Sequence, residues 1–152
     1  MGSHIATITW QRQPTEAFTD SRYSRAHLWQ FDGGVEVAAS ASPHNVPLPY
    51  SVEANVDPEE AFVAAISSCH LLTFLWVAAK RGVIIDSYRD EAVGVMTPGP
   101  GGHLWVSRVT LNPKVTYGGQ APDRAMEEAL HHAAHEQCFI ANSVKTEIVT
   151  RL

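Results

Sequence analysis

The sequence predicts an α+β domain with mostly antiparallel sheet and two main helices. Two observations predict it. Short runs rich in β-branched and aromatic residues alternate with two helix-like segments in the order strands, helix, strands, helix, strand. Strong glycine and proline turn signals separate successive strands, as antiparallel hairpins require. The length of 152 residues suits one domain, residues 1–152, and 45% apolar content is enough to build a core. The first five residues stand apart, because Met1-Gly2-Ser3-His4 resembles an expression-tag remnant.

Each element has its own signal. Ala6–Arg12 and Ser24–Phe31 read as strands. Asp32-Gly33-Gly34 reads as a turn, with Val35–Ser40 as the returning strand. Ser42–Asn55 holds three prolines and little periodicity, which makes it a loop. The first helix begins at Asp57 as N-cap, with Pro58 at the first helical position and Glu60 completing a capping box. It ends at Gly82, after Lys80 and Arg81 at the negative end of the dipole. Val83–Thr97 reads as one or two strands, and Pro98–Gly102 as a turn. His103–Tyr117 then returns as one long strand. A second helix is expected over Pro122–Gln137, and a last strand over Lys145–Leu152.

Ala61–Ala79 is nineteen residues without a charged side chain, the length of a membrane span. Ser67, Ser68, His70 and Thr73 interrupt it, no second such run exists, and its ends carry the caps of a buried soluble helix. The net charge of −5 and the lack of a basic tract argue against nucleic acid and anionic membranes as partners. No secretory signal pattern is visible at the N-terminus, and two cysteines do not make a disulfide framework, so a cytoplasmic setting is expected.

The chemistry concentrates on Cys69 and Cys138, the only two thiols. Cys69 falls mid-helix among Ala65, Ile66, Leu72 and Thr73, where the dipole is weak and apolar neighbours disfavour a thiolate. A reactive Cys69 would need a cation from another element, and Arg25 or Arg22 is the candidate. Alternation over the early strand places Arg25, His27, Trp29 and Phe31 on one face. A buried arginine needs a carboxylate, and Glu59 and Glu60 lie at the helix start. Both also read as ordinary first-turn acids. Glu59 precedes Cys69 by ten residues, ~15 Å along a continuous helix, so a second chain is one way to bring the two together. Cys138 ends its helix, where the dipole disfavours a thiolate, and it suits a resolving role better than a first attack.

A metal site is the rival reading. His131, His135 and Cys138 are spaced by four and three, one helix face. On that reading the protein is a non-enzymatic metal- or small-ligand-binding dimer. His70 points about 100° around the helix from Cys69 and reads as a packed histidine.

Three stretches carry a resemblance. Val56–Phe62 followed by Ser67-Ser68-Cys69-His70, the segment His135–Val144, and the segment Tyr23–Gly34 together resemble the OsmC/Ohr family of osmotically inducible and organic hydroperoxide resistance proteins. The resemblance implies an OsmC-like fold with curved sheets and an intertwined homodimer with sites at the interface. It also implies a thiol-dependent peroxidase that acts on organic hydroperoxides, needs no bound cofactor, and is reduced by a small dithiol or lipoyl-type group. By match to the family motifs, Cys69 corresponds to the peroxidatic cysteine, Cys138 to the resolving one, Glu59 to the acid of the helix motif and Arg25 to the activating arginine. The Arg-Asp-Gly pattern of Ohr proper is missing, and Phe139 stands where Ohr members carry proline. Both departures align the chain with the OsmC-like branch.

Overall fold

In the computed structural model the chain divides into two compact units, Met1–Ala61 and Phe62–Leu152. The first unit holds a three-stranded antiparallel sheet of β1 (Ala6–Thr9), β2 (His27–Phe31) and β3 (Glu36–Ala39), with β2 in the middle. The turn between β2 and β3 falls where the glycines put it, and Gly34 takes the left-handed φ of +89° that favours glycine. Strands β1 and β2 are shorter than expected. Arg25 lies before β2, because its N–H donates to the Tyr50 carbonyl (2.8 Å) and its carbonyl meets His27 Nδ1 (2.7 Å) instead of a sheet partner.

Buried serines hold the proline-rich loop after β3. Val52 N–H donates to Ser40 Oγ (2.9 Å), and Ser51 Oγ donates to the Val46 carbonyl (2.7 Å). Ser40, Ser42 and Ser51 are all buried, and these bonds answer the polar groups of an otherwise irregular segment.

Helix α1 (Pro58–Lys80) starts and stops as its caps dictate. Asp57 N–H donates to Glu60 Oε1 (2.7 Å), and Glu60 N–H donates back to Asp57 Oδ1 (2.8 Å). At the other end Gly82 takes φ +71°, Val83 N–H reaches the Ala78 carbonyl and Gly82 N–H the Ala79 carbonyl, a Schellman closure. The helix is long and apolar enough to cross a membrane. Ile66, His70, Phe74, Val77 and Ala78 are nonetheless buried within the protein, as in a core helix.

The second unit packs two clusters along α1. Ile66 joins Val109 and Leu111 on one side of Cys69 in sequence. Phe74, Val77 and Ala78 join Leu130 and Ala134 on the other. The first cluster sits on the sheet β5 (Val93–Pro98), β6 (Leu104–Leu111) and β8 (Glu147–Thr150), where β8 pairs parallel to β6. The second joins α1 to α2 (Arg124–Gln137) and to Val83, Ile85, Tyr88 and Val115, the last three from the pair β4 (Ile84–Asp90) and β7 (Pro113–Gly118). Asp123 caps α2 by accepting Met126 N–H at 2.8 Å.

The long strand expected over His103–Tyr117 is two strands in two different sheets. Asn112 N–H is taken by Asp90 Oδ1 (2.6 Å), and Pro113 has no N–H to continue a ladder. Asp90 thereby turns the β6–β7 arm while its other oxygen accepts Ser67 Oγ from α1 (2.5 Å).

Gly94 on β5 marks a close approach to α1. A Cβ there would lie 2.5 Å from Val63 Cγ2. Gly94→Ala is expected to destabilise the protein by about 1–3 kcal/mol through overpacking against a stiff β-branched neighbour. Thermal denaturation checks this, and an unchanged midpoint would show that Val63 gives way.

Candidate active site

The chain folds so that its two thiols meet. Cys69 lies in the middle of α1 and is half-buried. Cys138 is the C-cap of α2 and only 1% exposed. Its backbone has already left the helix (φ −70°, ψ 116°), and this turns the following residues back toward α1. Asn142 secures the turn. Its Nδ2 donates to the carbonyls of Glu136 (2.9 Å) and Cys138 (3.1 Å), and its backbone N–H donates to Cys138 O (3.0 Å). A short 3₁₀ turn follows, Ala141–Ser143.

Each sulfur then receives a backbone donor. Ile140 N–H points at Cys69 Sγ (3.5 Å), and Ala141 N–H at Cys138 Sγ (3.4 Å). Burial first, and then the neighbouring Cys69 side chain, push the Cys138 thiol up to about 11. Cys138 therefore keeps its proton at neutral pH. Both cysteines are free thiols. Sequence reasoning missed Ile140 and Asn142, whose parts depend on a backbone turn that no spacing rule announces.

Next to this pair lies a polar contact also absent from the sequence reading. His70 Nε2 and His131 Nδ1 stand 3.0 Å apart, both rings are buried, and their planes are nearly parallel (3°), meeting edge to edge. Phe74 covers His131 at 4.2 Å, and His131 Nε2 is buried without a partner. Burial holds both histidines near 4, with the neighbouring His131 and His135 adding to the effect at His70 and Asp90 opposing it.

This arrangement corrects the metal reading. His131, His135 and Cys138 form no ligand cluster, and no group of three His, Cys, Asp or Glu side chains is spaced to hold an ion. His131 turns into the core to meet His70, and Cys138 has departed from helical geometry, so the four-and-three spacing no longer defines a common face.

Arg25 and Glu59 belong to the first unit. Glu59 Oε1 accepts Asn45 Nδ2 (3.2 Å), while its Oε2 is buried with no partner. Arg25 does not bridge to it within the chain. Its guanidinium lies 3.7 Å over the Tyr23 ring and donates through Nη1 to the carbonyls of Ser21 (2.8 Å) and Tyr23 (2.5 Å). Arg22 is exposed, and only its backbone N–H is bonded, to Asp20.

An α+β fold with two long helices carries its two free thiols on distant segments, with the Ile140 amide of the Cys138 turn pointing at Cys69. The chain belongs to the OsmC-like protein family, whose model matches residues 52–152, a stretch that includes Glu59, Cys69 and Cys138 but not Arg25. A solved structure of an OsmC-like protein of unknown function from Vibrio cholerae is 56% identical over 99% of each chain, with a TM-score of 0.95. An organic hydroperoxide resistance protein OsmC from Legionella pneumophila is 17% identical, covering 100% of this chain and 96% of its own, at a TM-score of 0.72. The organic hydroperoxide resistance protein OhrB of Bacillus subtilis is 20% identical, covering 99% and 98%, at 0.69. The two distant likenesses establish the fold. No curated protein matches the chain.

Proposed function

We propose that this protein is a cysteine-based peroxidase that reduces organic hydroperoxides in the cytoplasm. The observation that carries the reading is the thiol pair, a buried Cys138 whose following turn aims the Ile140 amide at Cys69 Sγ. The Cys69 thiolate attacks one peroxide oxygen, the O–O bond breaks, and the alkoxide leaves as an alcohol after taking a proton. Cys69 is oxidised to a sulfenic acid. The Cys138 sulfur then attacks Cys69 sulfur, water departs, and a disulfide forms. A small dithiol or lipoyl-type group reduces it by thiol exchange. Arg25 stabilises the thiolate, and the open oxygen of Glu59 offers a guanidinium a charge-assisted acceptor. The organic hydroperoxide resistance proteins with the same fold support the substrate class.

The working form is a homodimer. Leu72 (65% exposed) and Trp76 (53%) leave an apolar stripe open on α1, and Phe139 beside Cys138 is 83% exposed. A second copy would cover such a face.

Turnover of an organic hydroperoxide with a dithiol reductant, followed by intact mass, tests the reading. One equivalent of peroxide without reductant should remove two hydrogens and link Cys69 to Cys138. Absence of turnover with both thiols reduced would overturn it. Cys138→Ser should stall within a few turnovers as Cys69 over-oxidises. Sustained turnover by that variant would remove Cys138 from its role.

A further inference from the structure

The part of the chain that presents Arg25 is built around an aromatic ring, not around a carboxylate. Phe18 stacks on Tyr23 with centroids 4.6 Å apart, and Trp10 meets the same ring edge-on at 5.7 Å. The Arg25 guanidinium lies 3.7 Å over that ring. Two partners this close to one ring centre must occupy opposite faces, so Tyr23 is clamped between Phe18 and Arg25. The segment accepts backbone strain to reach this arrangement, since Phe18 (φ +74°) and Ser21 (φ +63°) both adopt the left-handed region as non-glycines. Further bonds lock it. Trp10 Nε1 donates to Ser24 O (2.9 Å), and Ser24 N–H donates to Glu16 Oε1 (2.9 Å). The Arg25 backbone is fixed on both sides, by Tyr50 O and by His27 Nδ1. With the backbone held, the Tyr23 ring and the carbonyls of Ser21 and Tyr23 seat the guanidinium at the end of a long side chain.

We infer that Tyr23 is a positioning residue for the peroxidase reaction: its ring face, through stacking, sets where the Arg25 guanidinium is delivered. The inference rests on the reading of Arg25 as the group that stabilises the Cys69 thiolate. A planar guanidinium suits this seat, whereas a lysine ammonium has neither the flat face to stack nor two fixed donors for the two carbonyls. The phenol hydroxyl has no part in the contact, because the ring face carries it.

The test compares Tyr23→Leu, Tyr23→Phe, Arg25→Gln and Arg25→Lys in the full-length protein. Two readouts are taken: kcat/KM for an organic hydroperoxide, and the pH at which Cys69 alkylates half-maximally. Arg25→Gln should lower kcat/KM and move the alkylation profile to higher pH. Tyr23→Leu should do the same in direction, by about tenfold in kcat/KM, while Tyr23→Phe stays within about twofold of wild type. Arg25→Lys should resemble Tyr23→Leu, and combining the two should cost little more than either alone, because both remove one interaction. If Tyr23→Leu matches wild type while Arg25→Gln is impaired, Tyr23 has no positioning part. Equal loss in Tyr23→Phe and Tyr23→Leu would assign the effect to the hydroxyl and overturn stacking. An unimpaired Arg25→Gln would instead bring down the reading on which the inference stands. If Tyr23→Leu fails to fold, Tyr23→Phe and Arg25→Lys alone still decide: a wild-type Arg25→Lys overturns the need for a stacked planar group.

Discussion

Replacing Cys69 with serine is expected to reduce organic hydroperoxide turnover to background, a loss of at least about a thousandfold. Serine keeps the size of the side chain and its place on α1, so the fold should survive. The chemistry should not. A hydroxyl at this position is not ionised at neutral pH, and an alcohol oxygen cannot be oxidised to the sulfenic acid on which the cycle depends. The Ile140 amide, which points at Cys69 Sγ at 3.5 Å, would be left with a neutral oxygen to bond. The measurement is peroxide consumption with excess dithiol, alongside circular dichroism to verify folding. A folded Cys69→Ser protein that still turns over peroxide would remove the central residue of the reading.

The second large effect concerns stability. His70→Ala should cost about 3–4 kcal/mol. It leaves a cavity between α1 and α2 and strands His131 in an apolar cluster, where Nε2 already has no partner. For a chain of this length that lowers the melting midpoint by about 10 °C. Replacing both histidines with leucine should cost much less than either alanine change, because no orphaned polar group remains.

The same pair sets an acid limit. In the fold each imidazole is held down near 4, whereas in the unfolded chain it titrates near 6.5. Between these values the unfolded chain binds protons that the fold refuses, so stability falls as pH drops from 6.5 toward 4 and is fully present above 6.5. A shift of this size corresponds to about 3 kcal/mol for one group. Denaturant titrations from pH 7 to 4 check it. The double leucine variant should show a flatter acid limb, and an identical limb in both proteins would show that other groups set it.

Much of the fold was legible because it rests on local rules. Asp57, Glu60 and Gly82 fix the ends of α1 through their own backbone and side-chain bonds, and Asp123 starts α2 at Arg124, two residues after the expected Pro122. Residues at turns and caps act on neighbours a few positions away, so their effects can be read along the chain. The resemblance in three stretches singled out Cys69, Cys138, Glu59 and Arg25, and the family membership bears out its source.

The class of the fold, most of its elements and the identity of the two thiols are thus legible along the chain. What those residues touch depends on how the chain packs in three dimensions. That packing divided one apparent strand at Asn112, because a carboxylate from Asp90 claims the N–H there. It turned His131 away from a metal face and onto His70, sixty-one positions distant. It joined Cys69 to the Ile140 amide across seventy-one positions, and seated Arg25 on an aromatic ring. Most of these contacts join segments far apart in the chain. Periodicity tells which face of an element is apolar, but which partner fills that face is settled by packing, where burial, shape and unsatisfied polar groups are resolved together.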